Sequence, residues 1–150
     1  MYDSGEDHTK TKMMENYKKQ LAYIRYSKDE DYFRKIETLF TICDNKSTDF
    51  TVKDKNQNII QSKYQANNKR NICRMVSKEP TFDVEENNYK LDFRGINGVP
   101  SIKNFIIESP TCPDALIFGR RDKENYLMRV KAPFSIMQAV AIAISSIHYK

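Results

Sequence analysis

Hydrophobic and polar positions alternate along most of this chain, the pattern of strands with one face buried. In "QLAYIRY" (residues 20–26), Leu21, Tyr23 and Arg25 fall on one side and Ala22, Ile24 and Tyr26 on the other. "KIETLFTI" (35–42) is rich in β-branched and aromatic residues and predicts a second strand. "DFTVKDKNQNIIQSKYQ" (49–65) predicts a hairpin: Phe50 and Val52, a polar tip from Asp54 to Asn58, and a return from Ile59 to Tyr64. "NICRMV" (71–76), "YKLDF" (89–93) and "SIKNFII" (101–107) are further short strands. "DALIFG" and "NYLMRV" flank "RRDKE", a hairpin with a charged tip at residues 120–124. Such a series of roughly eight or nine short strands between turn signals predicts a sandwich or barrel. Residues 1–16 are polar and unpatterned, and read as a loop or flexible terminus.

The last twenty residues, "KAPFSIMQAVAIAISSIHYK", break the alternation. Pro133 suits the first turn of a helix, and neither Pro nor Gly follows to stop it. Ala139, Ala141 and Ala143 interleave with Val140, Ile142 and Ile144, so apolar side chains surround the axis. A helix over about 133–148 would run roughly 24 Å, short of the ~30 Å hydrocarbon core of a bilayer. A membrane-surface helix needs a cationic polar face, and residues 132–147 carry no charge. The remaining expectation is a helix surrounded by protein, which in a β-rich chain means a helix enclosed by strands.

Composition adds bounds and little chemistry. A chain of 150 residues with 39% hydrophobic and 30% charged residues is one globular domain, or part of one. The expected location is cytoplasmic: no charged n-region followed by an apolar run opens the chain. Cys43, Cys73 and Cys112 are odd in number and in no CxxC pattern, so they read as reduced thiols. His8 and His148 have no ligand-spaced neighbour, and "DNKSTD" (44–49) lacks the glycine and terminal glutamate of a calcium loop. No nucleophile–base pair or glycine-rich phosphate loop is present, so neither catalysis nor a cofactor is expected. The net charge of +5 suits phosphate-bearing partners. Arg34-Lys35 and Lys69-Arg70 are local basic pairs, the kind that most often serve solubility.

Three segments carry more. "FRGINGVPSIKNF" (93–105) has the form F-x-G followed by a run ending S-V-K-N-F. "AVAIAISSI" (139–147) has the form A-F-A-I-A-L-S-S-F, and "LIFGRRDKENYLMRVKAPFSIMQA" (116–139) joins the two. Upstream stand "KYQANN" (63–68) and "KEP" (78–80). In these segments the chain resembles the C-terminal domain of the tubby-like proteins, strongly from Lys63 onward. "QLAYIRY" and "MYDSG" resemble the family's E-L-A-A-V-x-Y strand and Y-D-N-G turn. Departures are Ile96-Asn97 for the signature Arg-Val, and Val140 and Ile147 for two phenylalanines.

The resemblance implies a mainly β fold: an antiparallel tubby-type barrel enclosing the hydrophobic C-terminal helix. Residues 17–150 would form part of that domain, with its first strands before Met1 and open edges where they are missing. It also implies a non-catalytic, peripheral-membrane adaptor that binds phosphatidylinositol 4,5-bisphosphate through clustered Lys and Arg, acting in the cytoplasm at plasma or ciliary membranes with protein cargo. The family's main lipid-binding lysine and arginine lie in a K-x-R strand that has no counterpart here. A further family arginine matches Lys18, with Lys19 beside it, and these two are the candidate headgroup residues. Two alternatives stand beside this reading. One is a barrel that has lost its lipid site and serves as an interaction module. The other is a nuclear, nucleic-acid-associated regulator, favoured by the basic pI and disfavoured by the lack of a reading helix or basic–aromatic pattern.

Overall fold

The structure, a computed structural model, describes residues 1–2, 19–28, 33–42, 50–52, 58–96 and 98–149. Its elements are β1 (Ala22–Lys28), β2 (Arg34–Thr41), α1 (Ile59–Gln65), β3 (Ile72–Ser77), β4 (Thr81–Asp83), β5 (Asn88–Lys90), β6 (Phe105–Ser109), β7 (Cys112–Arg120), β8 (Tyr126–Val130) and α2 (Ile136–His148). Six strands form one sheet in the order β1-β2-β3-β6-β7-β8, and β4 pairs with β5 in a two-stranded sheet. The β3–β6, β6–β7, β7–β8 and β4–β5 pairs are antiparallel. The chain is thus mainly antiparallel β with a C-terminal helix. It divides into two compact units, Met1–Ile24 with Thr38–Arg74, and Arg25–Glu37 with Met75–Lys150.

In the first unit, Leu39, Phe50 and Ile60 form a buried cluster, with Tyr23, Ile59, Tyr64 and Ile72 packed against it. The expected return strand from Ile59 to Tyr64 is helix α1 instead. Ile60 and Tyr64 lie one turn apart, and a helix brings both to the same core face. A strand would also place them on one face, so their spacing alone did not decide between the two. The expected polar tip at 54–57 lies outside the described residues.

In the second unit, β7 is buried from Asp114 through Gly119, on both of its faces. On one face Phe118 sits opposite Phe105 and stacks on Tyr126. On the other, the Phe93 ring covers Gly119. This double cover explains why "ALIF" is a continuous apolar run without alternation.

Helix α2 starts at Ile136, after Pro133, because Ser135 supplies a capping box. The Ser135 hydroxyl accepts from the Gln138 N–H at 3.2 Å, and the Gln138 side chain accepts from the Ser135 N–H at 2.9 Å. Gln138, Ala139, Ile142, Ala143 and Ser146 form its buried stripe. The opposite stripe is apolar and exposed: Ile136 is 74% accessible, and Met137, Val140, Ile144 and Ile147 are also exposed. Burial on every side, expected from the sequence, therefore does not hold among the described residues. The sheet there is open, with β1 and β8 at its ends.

Candidate anion-binding surface

The first unit builds a basic region around a buried amide. Gln20 is 2% exposed, and its side-chain oxygen accepts from the Ile60 N–H at 3.1 Å. Its amide nitrogen donates to Asn58 Oδ1 at 3.4 Å, so one side chain fixes the entry into α1. The Gln20 N–H donates to the Phe50 carbonyl at 2.9 Å, and Lys19 bridges to Thr51. Of the two lysines expected to meet a headgroup, Lys19 is thus held in a strand pairing with 8% of its surface accessible. Lys18 lies outside the described residues.

α1 and the turn after it contribute further cations. The Lys63 ammonium lies 4.8 Å from the centre of the Phe50 ring, and Lys69 lies 5.1 Å from that of Tyr64. Cation–π attraction restrains both side chains. The turn takes its shape from Asn67 and Asn71, at φ of 60° and 59°, the left-handed region that asparagine tolerates better than most residues. The Asn68 N–H donates to the Lys63 carbonyl at 2.9 Å and the Ile72 N–H to the Lys69 carbonyl at 3.0 Å. Lys69 and Arg70 are exposed on this turn, and Arg74 is exposed on β3.

Charge balance differs modestly between the two units: the first holds 11 Lys and Arg against 7 Asp and Glu, the second 14 against 13. In the second, cations face carboxylates: Arg25 with Glu37, Lys35 with Glu79, Lys78 with Glu108, Lys90 with Asp83 and Glu86, and Arg94 with Asp92 and Asp114. A depression lined by Asp83, Glu85, Lys90 and Asp92 is net acidic and repels phosphate. The "RRDKE" tip is the expected hairpin end, closed by Arg120 donating to the Asp122 and Lys123 carbonyls. Among the described residues no group of three or more His, Cys, Asp or Glu could hold a metal ion. "DNKSTD" lies outside the described residues.

Arg34, paired with Lys35 in the sequence, turns inward. Its Nη1 donates to the Ser146 carbonyl at 3.2 Å, and its guanidinium lies 5.9 Å from the centre of the Phe105 ring. Tyr26 stacks on Tyr149 at 4.2 Å and donates to the Ser145 hydroxyl at 3.0 Å. The Lys103 ammonium donates to the Tyr149 carbonyl. Two cations thus cap the negative end of α2. Burial pushes the Tyr26 phenol above, and the Arg34 guanidinium below, their ordinary values. Arg34 Nη2 is buried with no hydrogen-bond partner. This set reads as the anchor of the helix end.

The sequence points to Lys18 and Lys19 as headgroup residues and reads the Lys69-Arg70 pair as a basic pair of the kind that most often serves solubility. It does not point to Gln20, whose role depends on α1, or to Lys63. The signal for Lys63 and Lys69 was the aromatic partner of each, which becomes visible only once 59–65 is taken as helical. Arrangements of this kind can give charge-assisted hydrogen bonds to phosphate oxygens.

Comparison with known proteins agrees with the fold. Tubby-related protein 2 of Homo sapiens is 35% identical over 92 residues, covering 60% of this chain and 18% of the relative. Protein king tubby of Drosophila pseudoobscura pseudoobscura is 34% identical over 95 residues, covering 62% of the chain and 21% of the relative. Protein king tubby 1 of Aedes aegypti is 27% identical over 155 residues, covering 97% of the chain and 36% of the relative. The chain therefore spans well under half the length of these curated relatives. The model of the Tub family matches residues 1–149. A match running across so nearly the whole chain shows that this protein belongs to the Tub family.

Proposed function

We propose that this chain is a phosphoinositide-binding, membrane-associated adaptor of the tubby type. Tub family proteins are non-catalytic adaptors, and the reading needs no chemical step. The observation that carries it is the basic excess of the first unit, 11 Lys and Arg against 7 Asp and Glu, with Lys63, Lys69 and Arg70 on α1 and the turn after it. Vicinal phosphates on an inositol ring accept several charge-assisted hydrogen bonds at once, which suits such a region. Lys18 and Lys19 remain the proposed headgroup residues, and the 4,5-bisphosphate lipid the proposed ligand. No helix among the described residues is long and apolar enough to cross a membrane, so contact through surface cations is the mode proposed. Protein cargo and a ciliary or plasma-membrane location are further parts of this reading. We also assign α2 the role of the helix inside a tubby-type barrel.

One observation favours a second reading, a barrel serving as an interaction module with no lipid site. Lys19 is nearly buried, and reaching a headgroup would require its side chain to turn outward. Flotation with vesicles that contain or lack the 4,5-bisphosphate lipid decides between the two. The adaptor reading predicts flotation only with the lipid, weakened by Lys18→Ala and Lys19→Ala. Protein that stays at the bottom of both gradients supports the module.

A further inference from the structure

We infer that the β4–β5 hairpin is a docking surface for an extended, cationic peptide segment of a protein partner, one in which Lys or Arg alternates with apolar residues. Its link to protein cargo alone rests on the adaptor reading. The surface itself lies wholly in the second unit, apart from the proposed headgroup residues.

The charge of the hairpin selects the sign of the partner. From Thr81 to Asp92, a stretch described without a gap, Asp83, Glu85, Glu86 and Asp92 stand against Lys90. Lys90 pairs with Asp83 and Glu86, and Arg94 with Asp92, which leaves the group net negative. Of this unit's residues outside those described, Lys150 is the one cation, against Asp29, Glu30 and Asp31.

The acids share their depression with apolar groups. Its volume is about 460 Å³, and its lining runs unbroken from Thr81 to Glu85 before reaching Lys90 and Asp92. Along that run Phe82, Asp83, Val84 and Glu85 alternate apolar and acidic, and an alternating cationic and apolar segment is their complement. Val84 is 82% accessible, Phe82 46% and Tyr89 43%. Phe82 and Phe33 both meet the Tyr89 ring edge-on, at 5.0 and 4.6 Å, so the exposed rings are held in place to receive a guanidinium or ammonium. The backbone is also set in advance. Asp83 Oδ1 accepts from the Glu85 and Glu86 N–H groups at 3.0 and 3.2 Å, and Asn87 turns in the left-handed region. Docking therefore costs little ordering of the hairpin. β4 and β5 pair with no further strand among the described residues, and an extended segment can add to such an edge.

Other cationic ligands fit less well. Among the described residues no group of three or more His, Cys, Asp or Glu could hold a metal ion. A free polyamine would meet the carboxylates and leave Phe82 and Val84 unused.

The test uses the whole chain and a fluorescein-labelled peptide of three Arg-Leu repeats, followed by anisotropy. Saturable binding is expected at low salt and should weaken as salt rises. Glu85→Lys and Glu124→Lys change the net charge equally and differ in place: one carboxylate lies in the depression, the other at the β7–β8 tip. Repulsion in place of attraction should weaken binding about tenfold for Glu85→Lys, and Glu124→Lys should leave it within about twofold. Val84→Ser, which removes exposed apolar surface without changing charge, should weaken it about fivefold. Glu85 and Val84 are exposed, and a melting transition like that of the unmutated chain shows each variant folded. Equal loss in the two charge reversals overturns the inference, because the peptide would then follow overall charge. Undiminished binding by Val84→Ser overturns it as well, since charge alone would suffice, and so does the lack of any saturable binding. The two readings fail separately. Peptide binding without flotation on 4,5-bisphosphate vesicles removes the lipid reading alone, and flotation without peptide binding removes this one alone.

Discussion

Gly98 shows how one residue can fix a motif. A Cβ at this position would lie 2.9 Å from the carbonyl oxygen of Arg120, backbone that cannot swing aside. The next residue explains the approach, because the Val99 N–H donates to that same carbonyl at 2.8 Å. Asn104 completes the arrangement: its Nδ2 donates to the Val99 carbonyl at 3.0 Å and its Oδ1 accepts from the Arg120 N–H at 2.8 Å. Thus Gly98, Val99 and Asn104 of "GINGVPSIKNF" tie a loop to the end of β7. Gly98→Ala should cost about 1–3 kcal/mol, the usual penalty for overpacking a tight contact. Thermal denaturation reads it as a lower Tm, and an unchanged Tm would mean the loop relaxes freely.

At the scale of elements, the β4–β5 pair is the one most dependent on charge. Its register, Thr81 with Lys90, Phe82 with Tyr89 and Asp83 with Asn88, leaves the side chains largely exposed. The hydrogen bond from Lys90 and those from the Glu86 and Glu85 amides hold the Asp83 carboxyl below its ordinary value. Lys90 is raised in turn, first by Glu86 and then by Asp83. A carboxylate whose pKa is depressed in the folded state stabilises it above the unfolded pKa and loses that effect as pH falls through the folded value. The pair should therefore loosen as pH drops below about 4, ahead of the main sheet. Amide exchange at Asn88 and Tyr89, compared between pH 5 and 3 after correction for intrinsic rates, should show protection falling at the lower pH. Asp83→Asn should remove the pH step, and a step that survives would place its origin elsewhere.

At the scale of the whole molecule, some features could be read from the sequence and others could not, for physical reasons. A strand with one covered face was legible in "QLAYIRY", where Ala22, Ile24 and Tyr26 are the more buried side, whereas in "NYLMRV" alternation misled, since Met128 is the exposed residue. The short α1 was not, since the spacing of Ile60 and Tyr64 satisfies a strand face and a helix face alike. Nor was β4, three residues long and held by a salt-bridged turn in place of a core. α2 was legible as a helix through its length and composition, but its exposed stripe was not, because exposure depends on what other segments cover. The candidate surface was legible as charge and illegible as geometry: Lys69 and Arg70 stand out in any reading, while the placing of Lys69 over the Tyr64 ring emerges only from the fold.

The central claim is that this Tub family chain reads phosphoinositides through the cations of its first unit. The most direct measurement is its affinity for vesicles matched in total surface charge, one set carrying the 4,5-bisphosphate lipid and the other only phosphatidylserine. Headgroup recognition added to charge predicts tighter binding to the first set, with the difference reduced by Lys18→Ala and Lys19→Ala. Equal affinity for both sets, or no binding to either, would contradict it.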